Sequence, residues 1–193
     1  MKTFISLVIL ALFSSGLMGQ VYDLNKHAKS KLLTSKAQIS ILDGRPISFY
    51  LNHPSIDKNS KRLYKGELGF SRDSVPSCIM DSLLTINSET RPFYFFIFNQ
   101  FVDQANGKMI DLVALKCTVF VEKYPCEFFN FFNQPDLDIN VVKWTTYIGL
   151  TLKDRNGYAE FKSKIDYKIK GNCADIQDLL KSFMTEVRMC LAR

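Results

Sequence analysis

The chain has 193 residues, of which 47% are hydrophobic and 23% are charged, and its formal net charge is +6. This composition excludes a disordered, charge-rich protein, and the length fits one domain with a core of its own. The basic residues are dispersed among polar and apolar ones, which is typical of solvated faces.

Residues 1–19 have the organisation of a signal peptide. Lys2 forms a short basic start, residues 4–13 are apolar, and residues 14–19 are mostly small. An apolar run of this length is too short to span a bilayer. We therefore expect cleavage after Gly19, export of residues 20–193 as a single domain, and no transmembrane segment after signal removal.

The absence of one motif bears on the source of the exported chain. No Asn-x-Ser/Thr acceptor for N-glycosylation occurs anywhere in the chain. This absence favours a bacterial exported protein over a eukaryotic secreted one. We expect it in the periplasm or the medium.

The first elements after the leader are predicted to be helical. Residues 21–42 place apolar residues at helical spacing between lysines and predict an amphipathic helix that ends before the turn pair Asp43-Gly44. Pro46 then opens a short helix through residue 51. Residues 53–66 are polar and read as a loop.

A third helix is expected next. Ser74 is placed to cap it, with Pro76 in the first turn, and apolar residues between 79 and 86 form one face.

Residues 91–132 carry the densest aromatic sequence, and we expect the fold to be organised around them. Asn106-Gly107 between two apolar runs is also a strong β-hairpin signal. The second run favours helix–turn–helix instead, because its apolar positions follow helical spacing. These positions are Ile110, Val113, Ala114, Cys117, Phe120, Val121 and Tyr124. The first helix, 92–102, is so apolar that it must be buried nearly all round.

The remaining sequence continues the helical pattern. Pro125 opens a short helix over 126–133, residues 136–152 predict another, residues 154–157 form a turn before a shorter helix, and residues 176–191 predict the last. The fold class is therefore all-α, with about eight helices in one domain. Arg45-Pro46 and Arg91-Pro92 begin similar segments, which is a weak sign of an internal repeat. The helices are therefore expected to form either an irregular bundle or a short curved stack of helix pairs.

Five cysteines in an oxidising compartment predict disulfides with one thiol left over. Cys173 and Cys190 would lie at opposite ends of the last helix, roughly 25 Å apart, so they cannot pair. The other pairings stay open, as does the alternative of buried free thiols. The candidates are Cys78, Cys117, Cys126, Cys173 and Cys190.

Catalytic and metal-binding patterns are scarce. The chain has no Cys-x-x-Cys pair and only two histidines, His27 and His53, so no metal site or cofactor is expected. No nucleophile elbow, Walker loop or nucleic-acid motif occurs. Paired carboxylates could serve a small envelope hydrolase, but no spacing singles out a pair. The available ones include Glu67, Asp73, Glu89, Asp103, Asp111 and Asp136.

The phenylalanines of residues 128–132 cannot all face inward from one short helix, so some should be exposed or covered by a partner. They are Phe128, Phe129, Phe131 and Phe132. Arg45 and Arg91 are candidates to clamp an anion or to bridge to a neighbouring carboxylate. Trp144 could anchor a partner, but its helical spacing favours the core.

The sequence therefore favours an exported, non-enzymatic binding or structural module. Its expected partner is another protein or an anionic envelope component, and not a nucleic acid. The alternative function is the small envelope hydrolase with paired carboxylates.

Overall fold

The computed structural model describes residues 39–68, 74–134 and 137–191. In these ranges a small antiparallel hairpin, β1 (Ile41–Leu42) and β2 (Arg45–Pro46), precedes nine α-helices and one 3-10 turn (Ala174–Ile176). The helices are α1 (Ile47–Asn52), α2 (Lys58–Tyr64), α3 (Ser74–Ser82), α4 (Arg91–Gln104), α5 (Met109–Lys123), α6 (Pro125–Phe132), α7 (Val141–Leu152), α8 (Arg155–Ile169) and α9 (Gln177–Cys190). The all-α prediction is confirmed. None of the described helices is both long and apolar enough to cross a membrane.

The hairpin corrects one prediction. The helix expected over 21–42 lies outside the described residues except for its last four, and there Ile41–Leu42 forms a strand paired with Arg45–Pro46. Asp43 and Gly44 both adopt positive φ, 51° and 72°, as tight hairpin turns require. Gly44 adopts such a φ without the steric cost of a side chain.

The segment 53–66 was predicted as a loop, and this is wrong because it contains α2. Asp57 caps the helix by accepting a hydrogen bond from the backbone N–H of Ser60 at 2.9 Å. Leu63 and Tyr64 turn inward, and the Tyr64 ring lies 5.8 Å from that of Phe93 on α4. The two buried side chains of Leu63 and Tyr64 and the cap at Asp57, whose backbone partner Ser60 is also buried, hold this otherwise polar helix in place.

The helix–turn–helix prediction for the aromatic centre is confirmed. Gly107, at φ 51°, lies in the turn between α4 and α5. Helix α4 is buried on nearly every side, as its composition predicted. Phe95 lies in its second turn, with ring centroids 4.6 Å from Phe131, 5.3 Å from Phe120 and 5.6 Å from Trp144.

Helix α7 occupies the centre of the second half, where it contacts α4, α5, α8 and α9. Contacts to four helices favour the irregular bundle over a stack in which each pair meets only its neighbours. Trp144 is fully buried on α7, so its prediction as core is confirmed. Its Nε1–H donates to Asn99 Oδ1 at 3.0 Å, while Asn99 Nδ2 donates to the carbonyl of Asp138 at 3.0 Å.

Residues 154–157 were predicted as a turn, but they begin α8. The Asp154 carboxylate accepts from the backbone N–H groups of Asn156 and Gly157, each at 2.9 Å, and so caps the helix. A Cβ at Gly157 would lie 2.3 Å from the carbonyl oxygen of Leu152. This close approach lets α8 begin directly after α7.

Cys126 and Cys173 form a disulfide, with Cα atoms 5.8 Å apart, which ties α6 to the connection between α8 and α9. The expectation of a single remaining thiol is wrong, because Cys78, Cys117 and Cys190 are all free. Cys117 is enclosed in the core, where burial raises the pKa of its thiol well above the ordinary value. It behaves as a small core side chain.

Candidate functional site

The α6 phenylalanines do not form a contact surface. Phe128, Phe129, Phe131 and Phe132 are each at most 3% exposed, so the expectation that some would be exposed is wrong. The Phe128 ring lies 4.9 Å from Trp144 on α7 and 5.2 Å from Phe183 on α9, whereas Phe131 packs against Phe95 on α4. Neighbouring helices cover α6 on both faces, which lets a short helix bury all four rings.

Arg91 is a buried bridge between three segments. Its NH1 donates to the carboxylate of Glu127, its Nε to the carbonyl of Thr85 at 2.9 Å and its NH2 to the carbonyl of Ile86 at 3.0 Å. The guanidinium also lies 3.7 Å from the ring centroid of Tyr124. Of the two roles considered, Arg91 bridges to a carboxylate, and its burial keeps it from an external anion.

Arg45 repeats this arrangement at the surface. Its NH1 donates to Glu89 at 2.7 Å, and its guanidinium lies 4.3 Å from the ring centroid of Phe49. Both charged side chains are 45% exposed. The hydrogen bonds from Arg45 and then His53 lower the pKa of Glu89. A guanidinium carries five N–H donors, so Arg45 can serve Glu89 and a further acceptor together.

Beside Arg45 lies a depression of about 370 Å³, here called the Phe49 pocket. It is lined by Pro46, Ser48, Phe49, Asn52, His53 and Pro54. Three of these six are the ring side chains of Phe49 and two prolines. The pocket therefore presents an apolar floor beside an ion pair.

His53 closes one side of the Phe49 pocket. Its Nε2 lies 3.3 Å from Glu89 Oε2, and its Nδ1 accepts from the backbone N–H of Ser55 at 3.1 Å. These partners place the proton of the neutral ring on Nε2. Because both ring nitrogens are engaged, His53 holds the wall of the pocket and presents no lone pair for general base catalysis.

A second depression of about 350 Å³, here called the polar pocket, adjoins the first. Pro54 lines one and Ser55, the next residue, lines the other. The lining residues of the polar pocket are Ser55, Asp81, Ser82, Thr85, Asn87, Thr90 and Tyr94. Its single acidic side chain, Asp81, forms an ion pair with Lys116 on α5.

The acidic residues considered for hydrolysis lie apart from these pockets or in ion pairs. Glu67 lies 3.9 Å from Arg62, and Glu89 holds Arg45. Burial raises the pKa of Asp103, opposed by the charge of Lys143 and a hydrogen bond with Asn140. Asp111 lies in the first turn of α5. Asp73 and Asp136 lie outside the described residues. Within the described ranges, no group of three or more His, Cys, Asp or Glu side chains could hold a metal ion.

The lysine-rich stretches are largely engaged in local contacts. Lys61 on α2 donates to the carbonyl of His53 at 2.7 Å, and Lys162 on α8 pairs with Asp166. Lys164 bridges Glu160 at 2.9 Å and Glu122 at 3.2 Å. These contacts fit the solvated faces expected from the sequence. The stretch from Lys26 to Lys36 lies outside the described residues.

The sequence named Arg45 as a candidate binding residue and His53 only as one of two histidines without a metal pattern, and it did not predict the two pockets. The available signal was the spacing of four between Phe49 and His53, whose rings lie 5.6 Å apart. Arg45 reaches the Phe49 ring from strand β2, which no helical spacing predicts. The polar pocket had no such signal, because its residues come from α3, α4 and two connections. Comparisons with protein-family models, curated proteins and solved structures found no match to this chain.

Proposed function

We propose that this chain is an exported, non-catalytic binding module that recognises an acidic segment of a partner protein through the Phe49 pocket. The observation that carries the proposal is the pairing of an apolar depression with an exposed arginine. Phe49 and two prolines line the depression, and Arg45 lies over the ring of Phe49.

The apolar floor favours an aliphatic or proline side chain as the anchor. Ile41 is 56% exposed and pairs with Pro46 across the hairpin, so it extends the apolar surface beyond the pocket. Protein interfaces concentrate their binding energy in such central apolar sites, with a polar rim around them. Glu89 holds Arg45 and His53 in place before binding, which lowers the entropy lost on association.

The charges favour an acidic partner segment. Arg45 is exposed, and its remaining N–H donors match a backbone carbonyl or a carboxylate next to the anchor side chain. The formal net charge is +6 for the full chain and about +5 once Lys2 is removed with the signal peptide, and this charge steers an acidic partner towards the molecule before contact.

Export is supported by two features of different kinds. Residues 1–19 have the pattern of a signal peptide, although they lie outside the described residues. The Cys126–Cys173 disulfide belongs to the chemistry of an oxidising compartment.

Site-specific photo-cross-linking tests the proposal in cells that express the chain. A photoreactive amino acid in place of Ser48, an exposed residue that lines the pocket, should give a discrete protein adduct. The same group in place of Tyr167, which is 82% exposed on α8, is the positional control and should not.

The contribution of Arg45 is tested with two matched variants of the chain that carries the photoreactive amino acid at position 48. Arg45→Met should reduce the adduct several-fold, whereas Arg62→Met, which removes another exposed cation paired with a glutamate, should leave it unchanged. An adduct formed equally from position 167, or one insensitive to Arg45→Met, would overturn the proposal. So would the absence of any adduct from position 48.

A further inference from the structure

We infer that the polar pocket binds a small, neutral, polyhydroxylated molecule of about the size of one sugar ring. This inference is independent of the proposed recognition of a protein segment by the Phe49 pocket. It depends on the chemistry of the lining, on how its groups are held and on the local charge.

Every side chain that lines the polar pocket carries an oxygen atom. Five are hydroxyl-bearing residues, and the others are one carboxylate and one carboxamide. A hydroxyl group both donates and accepts, and a carboxamide does so with separate atoms. A polyol presents the same mixture of donors and acceptors, so lining and ligand are complementary at each contact.

The lining groups are held in place by hydrogen bonds within the protein. Thr90 Oγ1 donates to the carbonyl of Asn87 at 3.3 Å, and Asn87 Oδ1 accepts from the backbone N–H of Glu89 at 3.0 Å. Ser82 Oγ donates to the carbonyl of Cys78 at 3.2 Å. Each of these side chains has further hydrogen-bonding capacity after its internal bond, and a lining held in this way loses little freedom when a ligand binds.

Tyr94 is a buried part of the lining. It is 5% exposed, and its hydroxyl lies 3.3 Å from the carbonyl of Ser55 and from Asp57 Oδ2. Burial raises the pKa of this phenol, so the group stays protonated at neutral pH. The hydroxyl also accepts from the backbone N–H of Asp57 at 3.3 Å. It therefore offers a ligand a fixed neutral oxygen with one acceptor position remaining.

The charges around the pocket disfavour an ionic ligand. Lys116 neutralises Asp81, and the carboxylate of Asp57 lies 3.3 Å from the Tyr94 hydroxyl. A bound anion would face both carboxylates, whereas a bound cation would compete with Lys116 for Asp81. A neutral ligand avoids both costs and can still donate to Asp81.

The size of the pocket limits the ligand to a single small unit. Its volume of about 350 Å³ is near the lower end of the range for small-molecule sites, about 300–1,000 Å³. An open site of this size that binds through hydrogen bonds should bind weakly, with a Kd on the order of 1 mM.

Amide chemical shifts of the full mature chain test this inference. Glucose, galactose, mannose and myo-inositol are titrated separately to about 50 mM, well above the expected Kd. We expect at least one of them to shift the amides of Ser55, Ser82, Asn87 and Tyr94 in a saturable way. Inorganic phosphate and free lysine are the anionic and cationic comparison probes.

The variants separate this pocket from its neighbour. Ser55→Ala and Asp81→Asn should each weaken binding several-fold, whereas Ser48→Ala, the same change as the first but in the Phe49 pocket, should not. Ser55 and Asp81 are both exposed, so neither substitution should disturb the fold. Unchanged chemical shifts for amides away from the pocket will verify this. The inference is overturned if no polyol causes saturable shifts, if only phosphate or lysine does, or if neither lining variant weakens binding.

Discussion

Replacing Arg91 by methionine should destabilise the fold strongly, while the same change at Arg45 should not. Both arginines precede a proline, pair with a glutamate and lie over an aromatic ring, but Arg91 has a 4% exposed side chain and Arg45 a 45% exposed one. Methionine keeps most of the aliphatic volume and removes the charged head. The comparison therefore isolates the effect of burial on one type of contact.

The magnitude follows from the three partners of Arg91. A hydrogen bond to a charged group contributes about 1.5–3 kcal/mol, and breaking a buried ion pair costs about 3–5 kcal/mol. Glu127 is 36% exposed and can regain water when the arginine is gone, so the lower end applies. We expect the free energy of unfolding to fall by about 3 kcal/mol for Arg91→Met. For Arg45→Met, whose contacts are open to water, we expect no measurable change.

Denaturant unfolding followed by tryptophan fluorescence measures both variants. Trp144 is the only tryptophan and is fully buried, so its emission reports on the core. The slope of the unfolding free energy against denaturant should stay that of the parent chain, which keeps the comparison two-state. Equal losses for both arginines, or no loss for Arg91→Met, would refute the assignment of Arg91 as a buried bridge.

Three further predictions concern the disulfide, a helix start and a buried phenol. Thiol titration of the unfolded, unreduced chain should find three thiols, and one or five would contradict the pairing. Replacing Cys126 and Cys173 together by alanine should lower the free energy of unfolding by up to about 4 kcal/mol, because the bond closes a long loop. Gly157→Ala should cost about 1–3 kcal/mol in the same denaturation assay, since its Cβ would meet the Leu152 carbonyl; a neutral effect would contradict that close approach. Burial raises the pKa of Tyr50 from 10.0 to about 12, so the folded state holds this proton more tightly and stability falls as pH rises across that window. In the Tyr50→Phe variant, the midpoint of unfolding should fall less steeply between pH 10.0 and about 12 than in the parent chain. The same dependence of the midpoint on pH in both chains would contradict the raised pKa of Tyr50.

The long helices were predictable because burial imposes a period on the sequence. In α5, Val113, Cys117 and Val121 recur at the spacing of one helix face, and all are buried. The same holds for Leu180, Phe183 and Val187 in α9. A local pattern was sufficient in these cases, because one side of each helix faces the core and the other faces water.

The short elements were not predictable from periodicity. Helix α2 depends on a cap at Asp57 and on the buried side chains of Leu63 and Tyr64, of which Tyr64 packs on Phe93 of α4, and neither feature is a repeating pattern. The four rings of α6 looked surplus because a short helix was assumed to have an exposed side. Only the arrangement of α4, α7 and α9 around it shows that both sides are covered.

The repeated Arg-Pro segments show the limit of local sequence most clearly. Residues 45–51 and 91–97 are similar and both lead into helices. The first became a surface hairpin and a short helix, and the second became the central helix. The two segments differ in burial because different parts of the chain pack against them. The residues within each segment do not reveal which parts those are. A similar limit hid the polar pocket: most of its lining residues lie within residues 81–94, but only the folded chain brings them together with Ser55.

The most direct test of recognition by the Phe49 pocket is partner binding by a Phe49→Ser chain. The binding constant for the partner identified by cross-linking from position 48 is measured for this chain and for the parent, with near-UV circular dichroism as the control for folding. We expect a native spectrum and at least a tenfold weaker binding, which corresponds to about 1.4 kcal/mol. Unchanged affinity in a chain with the native spectrum would contradict this expectation and would place the recognition surface elsewhere.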